Sequence, residues 1–185
     1  MDKDYLRLIV SEVENTLVKI PEKAIEELIE KISGAGRIFI AGKGRSGLIM
    51  KAFAIRLMQM DFKVHVVGEA TTPAIGAGDL LVIGSGSGET ESLKVAAGEA
   101  KKIGTKLALV TMEGRSAIAG LADVTVVIPA TGSKKDKDAR SDSIQPMCNL
   151  FEQSLLIFLD ALTMRLMDRE SISREVLYQR HANLE

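Results

Sequence analysis

The chain has 185 residues, 46% of them apolar, and a formal net charge of −1. That length suffices for one domain with a substantial core, and the near-balanced charge argues against a nucleic-acid or membrane-surface partner held by bulk charge. The lone Cys148 offers no intrachain disulfide, the charged start MDKDYLRLIV lacks a signal-peptide core, and no apolar run nears a bilayer span, so a soluble cytoplasmic protein is expected.

Leu6, Ile9, Val10, Val13 and Leu17 recur at helical spacing and predict a first helix over 3–19. Pro21 suits the start of a second, running to about Ile32 and ended by Ser33-Gly34-Ala35-Gly36. Both helices precede the first strand, so they stand outside the β–α alternation. They are expected either to cover one sheet face or to form an oligomer contact.

Arg37–Ala41 reads as the first strand, Gly42–Gly47 as a loop, and Leu48–Met60 as a helix packing through Met50, Phe53, Ala54, Leu57 and Met58. Lys63–Val67 reads as the second strand, in which His65 alternates as a structural histidine. GKGRSG at 42–47 matches the G-x-G-x-x-G of a dinucleotide fold, and Glu69 lies about where such a fold holds a ribose. Two features count against NAD. A second Gly-rich cradle follows the third strand, and the length leaves little room for a separate substrate domain.

Leu80–Ile83 is short and apolar, as a buried strand is, and runs through Gly84-Ser85-Gly86-Ser87-Gly88-Glu89-Thr90 into helical spacing over 90–102. A strand, a Gly/Ser/Thr loop and a helix start make an anion cradle. The first helical N–H groups lack intrahelical partners, glycines allow close approach, and Ser85, Ser87 and Thr90 add hydroxyls. The plainer alternative is a β–α turn with hydroxyl helix caps. Thr105–Val110 and Asp123–Ile128 complete five strands, with Ser116–Leu121 a short helix or turn between them. Strands alternating with helices predict a three-layer α/β/α sandwich with a five-stranded parallel sheet in flavodoxin-like order. A single domain over 1–185 is expected, with N-terminal helices over 1–33, the α/β core over 34–168 and a C-terminal helix and tail over 169–185.

The polar segment 131–144 is placed to act as a flap over the site or as a solvated connection. Lys134, Lys135, Lys137 and Arg140 are available there for a phosphate. Pro146 suits the first turn of a long helix to about Asp168. On it, Glu152 shares a face with Cys148, Leu155, Leu156 and Leu159, and no cation lies at helical spacing from it. A carboxylate buried without a cation is a stronger base, which marks Glu152 as a candidate catalyst and Asp160 as a weaker one. His181, in the closing RHANLE, is either a second catalyst or an exposed tail residue. Two histidines and one cysteine provide no clustered metal-ligand set.

SGSGET at 85–90 resembles the phosphate loop of the SIS (sugar isomerase) domain family. Together with GKGRSG, FAIRLMQMDFKVHVVGEATTP at 53–73, QPM…LFEQ within 145–153 and RHANLE at 180–185, it is similar, nearly end to end, to the 6-phospho-3-hexuloisomerase group of that family. Where that group often has a Gly-Ser-like pair after QPM, this chain has Cys148-Asn149. The resemblance implies reversible conversion of D-arabino-3-hexulose 6-phosphate to D-fructose 6-phosphate with no metal or nucleotide cofactor. That step follows aldol fixation of formaldehyde onto ribulose 5-phosphate, so functional coupling to a hexulose-6-phosphate synthase is implied. It also implies phosphate binding by Ser85, Ser87 and Thr90, and substrate contacts from Gly44, Arg45 and Ser46. Glu152 would be the enediol-forming base, and His181 would serve a neighbouring subunit of a homo-oligomer, dimeric or tetrameric. Alternatives are a pentose-phosphate aldose–ketose isomerase or a non-catalytic phosphosugar-binding module.

Overall fold

Short apolar runs alternating with amphipathic stretches build a parallel sheet in the computed structural model, which describes residues 4–130 and 143–184. The strands are β1 (Ile38–Gly42), β2 (Val64–Val66), β3 (Leu80–Gly84), β4 (Lys106–Thr111) and β5 (Val124–Val127), ordered β2-β1-β3-β4-β5. Every neighbouring pair is parallel, as expected of strands joined by crossover helices. β1 and β3 are buried on both faces apart from the half-buried Gly42, which is why they read as continuous apolar runs.

The helices are α1 (Tyr5–Leu17), α2 (Glu22–Ser33), α3 (Gly44–Gln59), α4 (Glu91–Ile103), α5 (Asn149–Arg169) and α6 (Arg174–Gln179). One sheet face carries α2, α3 and α5, joined in one apolar cluster that includes Leu28, Ile32, Leu57, Phe151 and Leu166. The opposite face carries α4, which buries Leu93, Ala97 and Ala100 against Phe39, Leu81, Ile83, Leu107 and Leu109. Each fully buried aliphatic side chain contributes roughly 1.5–3 kcal/mol relative to leaving it in water. Of the two uses open to the N-terminal helices, covering a sheet face is what α2 does: it packs on β5, β4 and α5, and α1 in turn lies on α5.

Several boundaries differ from the sequence reading. α3 starts at Gly44 rather than Leu48, because Gly44 adopts φ +58° and carries the chain straight from strand to helix. Pro146 lies before α5, not in its first turn, because Met147 turns left-handed at φ +55° and interrupts the helix there. Of the two forms open to Ser116–Leu121, a short helix or a turn, the turn is the one adopted. On α5 the buried row is Leu155, Leu159, Leu162 and Leu166, whereas Leu156 is 40% exposed and Asp160 is exposed, which removes Asp160 as a buried-carboxylate candidate. The proposed flap cations Lys134, Lys135, Lys137 and Arg140 lie outside the described residues.

The amino ends of the strands are stapled by charge. Arg37 donates through Nε to Asp79 Oδ1 at 3.0 Å and through a terminal nitrogen to Oδ2 at 2.7 Å, while the Gly76 N–H donates to Oδ2 at 2.7 Å. Beside this pair the rings of Phe39 and His65 pack together, tilted by 36° with centroids 5.2 Å apart, which gives His65 a packing role in the sheet. The Arg37 hydrogen bonds, opposed by burial, hold the Asp79 carboxyl below its ordinary value. A carboxylate depressed on folding stabilises fully above the ordinary aspartate value of about 3.9, and the stabilisation is lost as pH falls through the folded value. Asp79→Asn is expected to cost about 2 kcal/mol, less than a fully buried pair because Arg37 stays partly exposed. Denaturant titrations below about pH 4 should show a shallower acid loss in the variant than in the parent; an identical slope would refute this assignment.

Candidate active site

β1 and β3 pair from Ile38 and Leu80 to Gly42 and Gly84, so their carboxyl ends lie side by side. The helix after β1 leaves to one face and the helix after β3 to the other. Such a divergence opens a crevice beyond the strand ends, and a cavity of about 380 Å³ lies there. Its walls come from the start of α3, the loop between β3 and α4, and the entry to α5.

The β3–α4 loop is fixed from beneath by β4. Ser85 N–H donates to Val110 O, Met112 N–H and the Thr111 hydroxyl both donate to Gly86 O, and Ile118 N–H donates to Gly88 O. The N–H groups of Gly86 and Ser87 meet no acceptor among the described residues. Ser85 Oγ accepts from Gly88 N–H at 3.2 Å and Ser87 Oγ from Glu89 N–H at 3.2 Å. A hydroxyl that accepts a backbone hydrogen bond still has its own proton to donate. Thr90 is the N-cap of α4, yet its side chain makes no capping bond; its Oγ1 lies 3.5 Å from Ser85 Oγ. The plain capping alternative therefore does not account for Thr90, and the loop offers donors to an anion at a helix start.

The first Gly-rich segment has a different role from a dinucleotide turn. A Cβ on Gly47 would stand 2.8 Å from the Gly42 carbonyl carbon and oxygen, so these two glycines let α3 rest directly on the end of β1. Gly44, Arg45 and Ser46 then line the cavity from the first turn of α3. Glu69, the expected ribose partner, is bound instead by Lys51 at 2.5 Å and does not line the cavity.

Glu152 lines the facing wall with its side chain 13% exposed. It is not alone, as its sequence context implied. Arg45 Nε lies 2.8 Å from Glu152 Oε2, and a terminal nitrogen of Arg45 donates to Asn149 Oδ1 at 3.1 Å. The expectation that Glu152 lacks a cation does not hold: Arg45 comes from another helix, which spacing along α5 does not reveal.

Gly44, Arg45, Ser46, Ser85, Ser87, Thr90 and Glu152 thus surround one cavity, and His181 does not line it. His181 is exposed just after α6, and its neighbour Arg180 pairs with Asp61 beyond the far end of α3. The 16 residues of α3 span about 24 Å at 1.5 Å per residue, which separates that end from the cavity. Asn149, Met112 and Phe151 also line the cavity without having been singled out from sequence. For Asn149 the signal was its place just after QPM; for Met112 and Phe151 nothing distinguished them from core residues.

The SIS domain profile matches residues 31–163, spanning both Gly-rich segments and Glu152. The chain belongs to the SIS domain family. Among its SIS relatives, the 3-hexulose-6-phosphate isomerase of Bacillus subtilis is 43% identical over 98% of this chain and 98% of that protein. The enzyme of the same name from Mycobacterium gastri is 43% identical over 97% of this chain and 89% of its own. A solved structure from Methanococcus jannaschii, for which a 3-hexulose-6-phosphate isomerase function was inferred, superposes with a TM-score of 0.85 at 34% identity. It covers 99% of this chain and 100% of that one.

The cradle is sensitive at Gly88, where φ is +60° and a Cβ would stand 2.0 Å from Ser116 Oγ. Gly88→Ala should therefore weaken calorimetric affinity for a hexose phosphate by tenfold or more, on the scale of about 1.4 kcal/mol or above for a lost charged hydrogen bond. Gly98→Ala, where a Cβ meets nothing within 4 Å, should leave affinity unchanged. A folded Gly88→Ala chain with parental affinity would remove this loop from the binding site.

Proposed function

We propose that this SIS protein is a ketose–ketose isomerase interconverting D-arabino-3-hexulose 6-phosphate and D-fructose 6-phosphate through a 2,3-enediol. The observation that carries this reading is that one carboxylate, Glu152, lines the same cavity as the hydroxyl-rich loop at the start of α4. In the proposed reaction Ser85, Ser87 and Thr90 hold the phosphate, while Gly44, Arg45 and Ser46 meet the sugar. Glu152 removes the proton from C2 and returns one to C3, as O2 gives up its hydroxyl proton and O3 gains one. No net oxidation occurs, so the reaction itself calls for no redox cofactor. The near-full-length likeness to enzymes named 3-hexulose-6-phosphate isomerase supports this choice over a pentose-phosphate isomerase or a binding module.

His181 is proposed to enter the cavity of a neighbouring subunit in a dimer or tetramer. Its exposure, and its place beyond the far end of α3, support a site other than its own chain's. Leu156, Ile157 and Met164 on α5, with Leu48 and Ile55 on α3, leave apolar surface for such a contact. A functional link to a hexulose-6-phosphate synthase follows from the substrate, which an aldol addition of formaldehyde to ribulose 5-phosphate supplies.

A coupled assay for fructose 6-phosphate formation tests this reading, with arabinose 5-phosphate and ribulose 5-phosphate as controls. Glu152→Gln should retain phosphosugar binding and lose roughly 10²–10⁴ in kcat. Glu152→Gln and His181→Ala chains, each poorly active, should recover activity when subunits are mixed, because some sites then carry neither lesion. Turnover of a control in place of the hexulose phosphate would overturn the substrate. No recovery, with subunit exchange verified, would overturn the cross-subunit histidine.

A further inference from the structure

Helix α1 holds a carboxylate that the isomerase reading does not use. Glu12 Oε1 accepts from Ile144 N–H at 2.8 Å, and Glu12 Oε2 accepts from the Ser143 hydroxyl at 2.8 Å and from Gln145 Nε2 at 2.9 Å. Ser143 Oγ also accepts from Gln145 N–H at 3.1 Å. One side chain thus ties three successive residues to a helix that lies more than a hundred positions earlier in sequence. Gln145 is 8% exposed, and its Nε2 is committed to this cluster. Burial pushes the Glu12 carboxyl up, but the bonds from Ile144, Gln145 and Ser143 outweigh it and hold the group below its ordinary value.

The clamp sits immediately before the catalytic wall. From Gln145 the chain passes Pro146 and Met147, the latter in left-handed backbone at φ +55°, and enters α5 at Asn149. A left-handed residue other than glycine persists only where its surroundings hold it. Met147, Cys148, Asn149 and Glu152 all line the cavity. α1 is seated on α5 itself, with Val13 and Thr16 buried. Glu12 therefore closes a circuit: the body of α5 holds α1, α1 holds 143–145, and 143–145 sets where α5 begins. The phosphate loop takes its hydrogen bonds from β4 and the turn after it, not from 143–145, and meets α5 at Phe151.

We propose that Glu12 is a positioning residue for the active site, fixing the 143–145 segment so that the start of α5 presents Glu152 and Asn149 to the substrate. The proposal rests on the reading of Glu152 as the base. Because the phosphate loop is hydrogen-bonded to β4 while the base is placed by the start of α5, loss of Glu12 should act far more on base placement than on binding. A displacement of about 1 Å in a reacting group costs up to roughly a hundredfold in rate.

The test measures kcat, KM and Tm for Glu12→Ala, Glu12→Gln, Ser143→Ala and Val13→Ala in the full chain, with 3-hexulose 6-phosphate as substrate. Glu12→Ala should lower kcat by roughly 10–100-fold with KM changed less than about threefold. Glu12→Gln, which keeps one acceptor oxygen, and Ser143→Ala, which removes one donor, should lose less. If Glu12→Ala does not fold, these two carry the test by the same split. Val13→Ala weakens the seat of α1 without touching the clamp, and should lower Tm with kcat retained. Parental kcat in the clamp variants, a change confined to KM, or an equal kcat loss in Val13→Ala at matched Tm would each overturn the proposal. Glu152→Gln assayed in parallel separates the two claims. If it turns over like the parent, the base reading fails and the positioning role falls with it; if it is inactive while Glu12→Ala is not slowed, only the positioning role falls.

Discussion

The site depends on one topological constraint, the pairing of β1 with β3 in a parallel sheet whose strand order turns there. Because β1 and β3 are adjacent while α3 and α4 lie on opposite faces, the two strand ends cannot both be covered by their own connections. The crevice that results has two helix starts at its rim, each with unpaired N–H groups and a partial positive charge. An anion is the natural occupant of such a place. The sequence elaborates the two starts differently. The loop before α4 is dense in hydroxyls, whereas at the other start Gly42 at the end of β1 and Gly47 in the first turn of α3 let helix and strand touch.

The third wall, the start of α5, supplies what helix starts lack, a carboxylate. Its distance from the cradle is set through several contacts rather than by one backbone segment. Phe151 lies against the β3–α4 loop, where a Cβ on Gly86 would stand 3.2 Å from its ring. Arg45 reaches across from α3 to Glu152 and Asn149. Glu12, on α1, holds the 143–145 segment that leads into α5. The N-terminal helices, which stand outside the β–α alternation, are thus part of the same mechanical unit as the site.

Much of this was legible in the sequence. Short apolar runs located the five strands to within a residue or two, and the Gly/Ser/Thr loop marked out what became one wall of the cavity. What was not legible arises from contacts between distant segments. Arg45 reaches Glu152 from α3, a helix far away in sequence, so periodicity along α5 gave Glu152 no visible cation. The clamp of Glu12 on 143–145 was hidden for the same reason, since a glutamate in an N-terminal helix reads as solvent-facing. Boundaries failed where one backbone angle decided them. Gly44 starts α3 inside what reads as a loop, and Met147 delays α5 past a proline that suits a helix start.

The central claim is that a single carboxylate at this crevice works on the bond between C2 and C3 of a phosphosugar. Proton magnetic resonance of fructose 6-phosphate incubated with the protein in deuterated water tests it most directly, because the position that exchanges reports where the enediol forms. The account predicts deuterium at C3 alone, and no exchange in Glu152→Gln. Deuterium at C1, or C3 exchange that survives Glu152→Gln unchanged, would contradict it.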